Sequence, residues 1–217
     1  LVGSEMCIRD SLLTASCLFI GFYHLAFLIT ALILTLTTFY LGKWIGQAKR
    51  ESGMKGIYFS GVCFLVVSWL AFRYADRLTD CHILFPLGIS FYTFQAISYL
   101  TEIYWQEEPE KSLPDFMIYM LFFMKFLSGP IERASDMLPQ LKSCKATDYT
   151  SMVYGMRLIV VGLIKKLILA DSIAPYIDGV FGSVYTASGV QLLMACLLYP
   201  IELYADFSGY TDIALGG

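Results

Sequence analysis

Long apolar runs separated by short polar segments dominate the sequence. The first run, from Leu12 to Leu41, contains no formal charge and exceeds the roughly 20 residues that a membrane-spanning helix needs. It predicts either one long tilted helix or a helix followed by an interfacial segment. Further apolar segments lie at residues 57–72, 82–105, 117–127, 152–170 and 190–203. The pattern predicts an all-α polytopic membrane protein with about six membrane-embedded helices, some broken or re-entrant, within a larger helical body.

Proline and glycine residues predict where these helices break. Pro86 pushes the residue before it out of the helical region, so together with Gly88 it predicts a kinked start to a helix that begins near residue 90. Gly129 and Pro130 predict a helix end, because proline has no N–H to donate and its ring clashes with the preceding turn. The polar segment that follows, residues 134–150, has the spacing of an amphipathic interfacial helix.

Two further local predictions concern the last third of the chain. Asp171 is placed to cap the N-terminus of a helix that begins at Ser172, with Pro175 in the first turn, where no intrahelical donor is required. Gly209 predicts a break in the last apolar helix, which is tolerable only where protein or water satisfies the freed backbone groups.

Basic residues concentrate in one short loop. Residues 42–55 carry four lysine and arginine side chains, and basic loops beside spanning helices favour the cytoplasmic side. If that loop is cytoplasmic and every later segment crosses the membrane completely, Arg133 lies on the opposite side of the membrane. We therefore expect one of the interrupted segments to be re-entrant.

Acidic and other polar side chains lie within the apolar segments. A charge at membrane depth costs about 3 kcal/mol or more, so such residues normally face a bundle interior or a wet cavity. Glu202 and Asp206 are four residues apart and share one helix face if the helix is continuous. Gln95 and Glu102 belong to a polar stripe that fits an interhelical hydrogen-bond seam and a cavity lining equally well. The candidate cavity or substrate-positioning residues are Gln95, Glu102, Arg133, Glu202, Asp206, Ser208, Tyr210 and Asp212.

Composition narrows the class of protein. Charged residues make up 15% of the chain, against about a quarter in soluble proteins, which supports the membrane interpretation. No basic block is interleaved with aromatic residues, so nucleic-acid binding has no support. The six cysteines show no metal-binding spacing and are interpreted as small hydrophobic residues, and we predict no metal site. The two histidines are His24 and His82, and at His24 a hydrogen-bonded packing or interface role is favoured over a functional imidazole.

Four stretches carry a family resemblance in their sequence order. They are residues 85–99 (FPLGISFYTFQAISY), 122–133 (FFMKFLSGPIER), 162–171 (GLIKKLILAD) and 204–216 (YADFSGYTDIALG). Together they resemble the membrane-bound O-acyltransferase family. The resemblance is strongest to its bacterial branch, which modifies alginate and teichoic acid.

The resemblance implies a fold, a reaction and partners. The fold is a large all-helical membrane body with a central cavity. The reaction moves an acyl group, as in O-acetylation, from an activated thioester co-substrate to a hydroxyl of an exported or cell-surface polysaccharide, with no bound cofactor. The implied partners are the lipid bilayer, an acyl donor or carrier on the cytoplasmic side, the polysaccharide acceptor and other subunits of an acetylation complex. The implied location is the bacterial inner membrane, as a multi-pass protein.

The resemblance also assigns residues. The matching positions are Pro86, Gly88, Phe91 and Gln95, then Gly129, Pro130 and Arg133, then Asp206, Ser208, Gly209, Tyr210 and Asp212. They are expected to shape a cavity and to position substrate. The family's catalytic histidine, a general base for the acceptor hydroxyl, is expected beyond Gly217. Residues 1–11 are interpreted as a non-native flank and residues 12–217 as the N-terminal portion of an O-acyltransferase domain.

Two other functions are compatible with parts of the pattern. Broken helices and buried acids also mark the substrate paths of transporters, although the sequence shows no internal repeat of the kind that transporters often contain. A membrane scaffold could use the same polar residues only to hold helices together. The ordered motifs favour the acyltransferase.

Overall fold

The computed structural model of the chain describes residues 2–48, 53–78, 86, 88–105, 107–125, 129, 131–142 and 148–217, leaving aside the side chains of residues 2–7 and 75–78. These residues are predominantly helical, and no strand occurs among them, which confirms the predicted all-α class. The chain forms two compact units, one of residues 1–127 and 131–145 and the other of residues 128–130 and 146–217.

Six helices lie in the described residues of the first unit. They are α1 (Val2–Tyr23), α2 (Leu25–Ala48), α3 (Met54–Leu78), α4 (Ile89–Tyr104), α5 (Leu113–Leu121) and α6 (Ala134–Lys142). Helix α2 packs against α1, α3, α4 and α5, and α6 packs against α4 and α5. The centre of the core is aromatic, with the rings of Tyr99 and Phe116 4.6 Å apart and Tyr119 fully buried beside them.

The first apolar run is two helices, so the alternative of one long tilted helix is wrong. The break falls at His24, where the backbone leaves the helical conformation between α1 and α2. The His24 ring is exposed, and its Nδ1 accepts a hydrogen bond from the Ala26 N–H at 3.2 Å. The imidazole therefore satisfies an N–H at the start of α2 that has no intrahelical acceptor. This observation supports a hydrogen-bonded structural role for His24.

The kinked start of α4 is confirmed. Gly88 has φ 74° and ψ 0°, a left-handed conformation that glycine adopts without a steric penalty. The Ile89 N–H donates to the Pro86 carbonyl at 3.2 Å, and α4 runs from Ile89. The helix predicted over residues 134–150 is shorter than expected, since α6 ends at Lys142 and residue 148 is not helical. Its apolar side, which includes the buried Leu138, packs onto the core of the first unit.

The second unit contains α7 (Tyr149–Leu163), a π-helical segment (Ile164–Ala170), α8 (Asp171–Gly182) and α9 (Gly189–Gly216). The predicted N-cap at Asp171 is wrong, because the helix continues through this residue with helical dihedral angles. Its N–H donates to the Lys166 carbonyl, five residues back, as in a π-helix. The Asp171 carboxylate forms an ion pair with Lys166 instead of capping.

Helix α9 is unbroken, so the predicted break at Gly209 is also wrong. The helix begins with a reciprocal capping box between Ser188 and Gln191. Gly209 is buried in the helix interior, where a Cβ would lie 2.8 Å from the Gly162 carbonyl oxygen. The glycine serves close packing of α9 against α7, a common use of small residues between membrane helices.

Three helices in the described part of the chain are long and apolar enough to cross a membrane. They comprise residues Leu25–Ala48, Met54–Tyr74 and Gly189–Gly216. The predicted number of about six membrane-embedded segments is not confirmed.

Candidate functional site

Two adjacent lysines hold the carboxylates of the last motif. Lys165 Nζ lies 2.6 Å from Asp212 Oδ2, and Lys166 Nζ lies 2.5 Å from Asp206 Oδ1. Lys166 also contacts Asp171 Oδ1 at 2.9 Å. The side chains of Lys165, Lys166, Asp206 and Asp212 are partly shielded from solvent, and that of Asp171 is exposed. The aspartates singled out in the sequence are therefore charge-compensated members of a network within the second unit.

The local backbone explains how two neighbouring lysines reach different aspartates. A Cβ at Gly209 would lie 3.0 Å from the Lys166 nitrogen and 3.2 Å from Lys165 Cβ. The two lysines thus lie directly opposite Gly209 on α9. From this contact point, Lys166 reaches Asp206, which precedes Gly209, and Lys165 reaches Asp212, which follows it.

The same helix carries the other candidates of the last motif. Ser208 Oγ accepts a hydrogen bond from Lys165 Nζ at 2.9 Å and so belongs to the network. Glu202 lies one turn before Asp206 on the continuous helix, as predicted for a shared face, and forms no ion pair with any described residue. Tyr210 is half-buried.

A second polar group lies in the first unit and involves Gln95. Its side chain is buried, and Nε2 donates to the Tyr119 carbonyl at 2.8 Å. The Tyr119 hydroxyl donates to the Glu132 carbonyl at 3.0 Å. Lys125 Nζ lies 4.5 Å from the centre of the Tyr119 ring and 3.5 Å from Glu132 Oε2. These contacts connect α4, α5 and the segment before α6, which favours the interpretation of Gln95 as part of an interhelical seam.

Glu102 lines a cavity of about 470 Å³ within the first unit. Its carboxylate accepts from the Ser135 N–H at 3.1 Å and from Ser98 Oγ at 3.5 Å. The cavity wall is rich in acids and is formed by Tyr99, Glu102, Ile103, Glu107, Glu108, Glu110, Ala134, Ser135, Leu138, Pro139 and Lys142. Glu102 thus lines a cavity and also accepts a hydrogen bond from the Ser135 N–H of α6, whereas Gln95 lies in the contact between α4 and α5. Within the described ranges, no group of His, Cys, Asp or Glu side chains is arranged so that it could hold a metal ion.

Glu110 is the most strongly held carboxylate of that cavity. Burial alone raises the pKa of its carboxyl group, but hydrogen bonds from Lys142 Nζ, at 2.5 Å, and from the N–H groups of Ser112 and Lys111 outweigh burial and hold the pKa below its ordinary value. The charged form of Glu110 thus joins α6 to the start of α5. Its neighbour Tyr99 accepts a hydrogen bond from the Glu110 N–H.

The remaining predicted positions are structural or lie elsewhere. Pro86 and Gly129 are buried, and Gly88 shapes the start of α4. Arg133 is exposed immediately before α6, where its carbonyl accepts hydrogen bonds from the N–H groups of Asp136 and Met137. Pro130 and His82 lie outside the described residues. The structure places Gln95, Glu102 and Arg133 in the first unit and the candidates of the last motif in the second.

Lys165 and Lys166 are the functional candidates that the sequence interpretation missed. Their signal was available, since they are two adjacent charges inside an otherwise apolar stretch of nineteen residues, 152–170, that contains one other charge, Arg157. Two cations within an apolar helical stretch predict nearby anions, because an unpaired charge in such a stretch is costly. What the sequence lacked was the pairing of α7 with α9.

The chain is similar to curated bacterial acyltransferases over most of its length. It is 33% identical to the probable alginate O-acetylase AlgI of Azotobacter vinelandii, over 94% of this chain and 44% of the relative. It is 32% identical to the peptidoglycan O-acetyltransferase of Helicobacter pylori, over 62% of this chain and 31% of the relative. Identity to the teichoic acid D-alanyltransferase of Streptococcus thermophilus is 27%, over 59% of this chain and 32% of the relative.

The chain spans less than half the length of these curated relatives. No model of a protein family matches it. The similarity nevertheless extends over 94% of this chain for the alginate protein. The chain is therefore a relative of the bacterial members of the membrane-bound O-acyltransferase family.

Proposed function

We propose that the protein carrying this chain is a membrane O-acyltransferase that acetylates hydroxyl groups of an exported or cell-surface polysaccharide. The observation that carries this proposal is the 33% identity, over 94% of the chain, to a protein named as a probable alginate O-acetylase. The relatives named for peptidoglycan and teichoic acid support acyl transfer to a cell-surface polymer as the common chemistry.

The acyl donor in this proposal is an activated thioester that arrives from the cytoplasmic side. The acceptor hydroxyl attacks the thioester carbonyl, the carbon–sulfur bond breaks, and the thiolate leaves while a general base takes the hydroxyl proton. A histidine encoded beyond residue 217 remains the predicted base. The residues of the last motif, with Asp206 and Asp212 held by lysines, are proposed to position substrate around this base.

The proposed setting is the bacterial inner membrane, in which the protein passes several times. The three apolar helices support membrane insertion. The proposed partners are a donor or carrier protein, the polysaccharide and other subunits of an acetylation complex. We propose that no cofactor is bound, since the thioester is itself the activated reactant.

The test is complementation of a bacterium that exports alginate but lacks its own alginate O-acetylase. The full-length protein is expected to restore ester-linked acetate on exported alginate. Asp206→Ala is expected to reduce that acetate about tenfold or more. The reason is that a loss of only about 1.4 kcal/mol of transition-state stabilisation lowers a rate tenfold. Equal membrane abundance of the variant is the control for folding.

Two results contradict the proposal. Exported alginate without acetate, despite normal amounts of wild-type protein in the membrane, excludes the polysaccharide acetylation proposed here. Full acetate with Asp206→Ala assigns that carboxylate to structure alone.

A further inference from the structure

The side chains of Lys165 and Lys166 contact different kinds of groups. Lys166 bridges two carboxylates, those of Asp206 and Asp171. Lys165 instead contacts one carboxylate, Asp212 at 2.6 Å, and one hydroxyl, Ser208 at 2.9 Å. Only Lys165 therefore acts on a side chain that can itself donate a hydrogen bond.

The hydroxyl group of Ser208 is oriented unusually for a serine inside a helix. Serine and threonine in helices commonly donate to the carbonyl four residues back, and Thr211 on the same helix does so, to Phe207 at 2.9 Å. Ser208 accepts from Lys165 instead. Among the described residues, no acceptor is found for the hydrogen of its hydroxyl group. That O–H is therefore able to donate to a bound substrate.

The ammonium of Lys165 also makes this O–H a better donor. A hydrogen bond received by the oxygen polarises the hydroxyl group, and the effect is stronger where the local dielectric is low. The arrangement is not that of a serine nucleophile, which needs a neutral amine to take its proton. The Asp212 carboxylate stabilises the charged ammonium, so Lys165 donates to the serine oxygen and does not remove its hydrogen.

We propose that Lys165 is a positioning residue of the acyl-transfer site, which fixes Asp212 and turns the Ser208 O–H outward to donate a hydrogen bond to the carbonyl oxygen of the acyl group. That oxygen gains negative charge as the acceptor hydroxyl attacks, and a fixed donor stabilises the charge. The inference rests on the proposed function. Ser208 then touches the substrate, and Lys165 acts through Ser208 and Asp212.

The experiment measures initial rates of acetyl transfer in membrane vesicles that contain the full-length protein, with acetyl-coenzyme A and alginate as the probes. The variants are Ser208→Ala, Lys165→Met, Lys165→Arg and the double variant Lys165→Met/Ser208→Ala. Lys111→Met is the matched control, because the Lys111 side chain forms a highly exposed ion pair with Glu108, and the substitution leaves its backbone N–H in place.

Ser208→Ala is expected to lower kcat about a hundredfold with little change in KM, as for loss of one donor to a developing oxyanion. Lys165→Met is expected to lower kcat by at least as much. The double variant is expected to be no slower than Lys165→Met alone, because one residue acts through the other. Lys165→Arg, which keeps a charged donor, is expected to recover part of the rate.

Ser208→Ala leaves no unpaired charge, so its result decides the matter even if Lys165→Met accumulates poorly. An unchanged kcat in Ser208→Ala, or losses in the two single variants that multiply in the double variant, overturns the role of Lys165. These outcomes are distinct from failure of the proposed function, in which the wild-type vesicles themselves transfer no acetate to alginate.

Discussion

Replacing Gly209 with alanine tests whether the contact between α7 and α9 sets the geometry of the lysine–aspartate network. The new Cβ would lie 2.8 Å from the Gly162 carbonyl oxygen and 3.0 Å from the Lys166 nitrogen. Both are backbone atoms in helices, so neither can rotate away as a side chain could. Restoring ordinary van der Waals distances requires the two helices to separate by about 0.5 Å, and such a gap forfeits a quarter or more of each dispersion contact.

The expected magnitude follows from two opposing terms. Alanine favours a helix over glycine by about 1 kcal/mol. Overpacking against atoms that cannot yield costs about 3 kcal/mol, the upper part of the usual range. We therefore expect Gly209→Ala to lower the free energy of unfolding by about 2 kcal/mol, and Gly162→Ala, whose Cβ meets the Gly209 carbonyl oxygen at 2.5 Å, to behave similarly.

Gly179→Ala is the matched control. Gly179 lies in α8, and a Cβ there meets no atom of the described residues within 4 Å. The helix-propensity term then acts alone, and we expect stabilisation by about 0.5–1 kcal/mol.

The assay is equilibrium unfolding of the purified full-length protein in mixed detergent micelles, followed by circular dichroism. Gly209→Ala and Gly179→Ala are expected to differ by about 2.5–3 kcal/mol, which is the packing term, because the propensity term is common to both variants. Equal unfolding free energies for Gly209→Ala and Gly179→Ala refute the reasoning, because they show that the helices have room for the methyl group.

Two further predictions concern the first unit. Because the pKa of Glu110 is held below its ordinary value of 4.5, the charged carboxylate stabilises the fold above that pH, and the contribution is lost as the pH falls further. The difference in unfolding midpoint between wild type and Lys142→Met is thus expected to be largest above about pH 5 and to shrink towards pH 3, and a constant difference contradicts this coupling. Gln95→Leu leaves the buried Tyr119 carbonyl without its side-chain donor and is expected to cost about 1–3 kcal/mol in the unfolding assay, whereas a neutral result shows that the carbonyl finds another donor.

Sequence reasoning succeeded where local backbone chemistry decides the structure. The start of α4 follows from Pro86 and Gly88 alone. Pro86 restricts the backbone of the residue before it, and Gly88 adopts a positive φ without strain. The break at His24 has no such marker, because no proline lies near it and the nearest glycine, Gly21, is three residues before it. The local device at the break is the His24 side chain, whose Nδ1 accepts a hydrogen bond from the Ala26 N–H, and histidine is not among the residues that usually cap a helix.

The candidate site could be predicted only in part, for a related reason. The aspartates at 206 and 212 were identified because charges are rare in apolar helices, but their partners depend on the register between α7 and α9. That register had a signal, since Gly155 and Gly162 are separated by seven residues, as are Gly209 and Gly216. A glycine in a membrane helix was interpreted as a break, although close packing is an equally common use of it.

The π-helical segment at Ile164–Ala170 sets the rotational phase of everything that follows it. Each residue turns the chain by about 100° in an α-helix and by less in a π-helix, so winding these seven residues as an α-helix instead would rotate α8 about its axis. The buried Ile177 and Val180 would then leave the face that packs on α9, and Asp171 would swing away from Lys166. The π-helical winding of this segment thus fixes the angle between α7 and α8, which are two parts of one continuous helix.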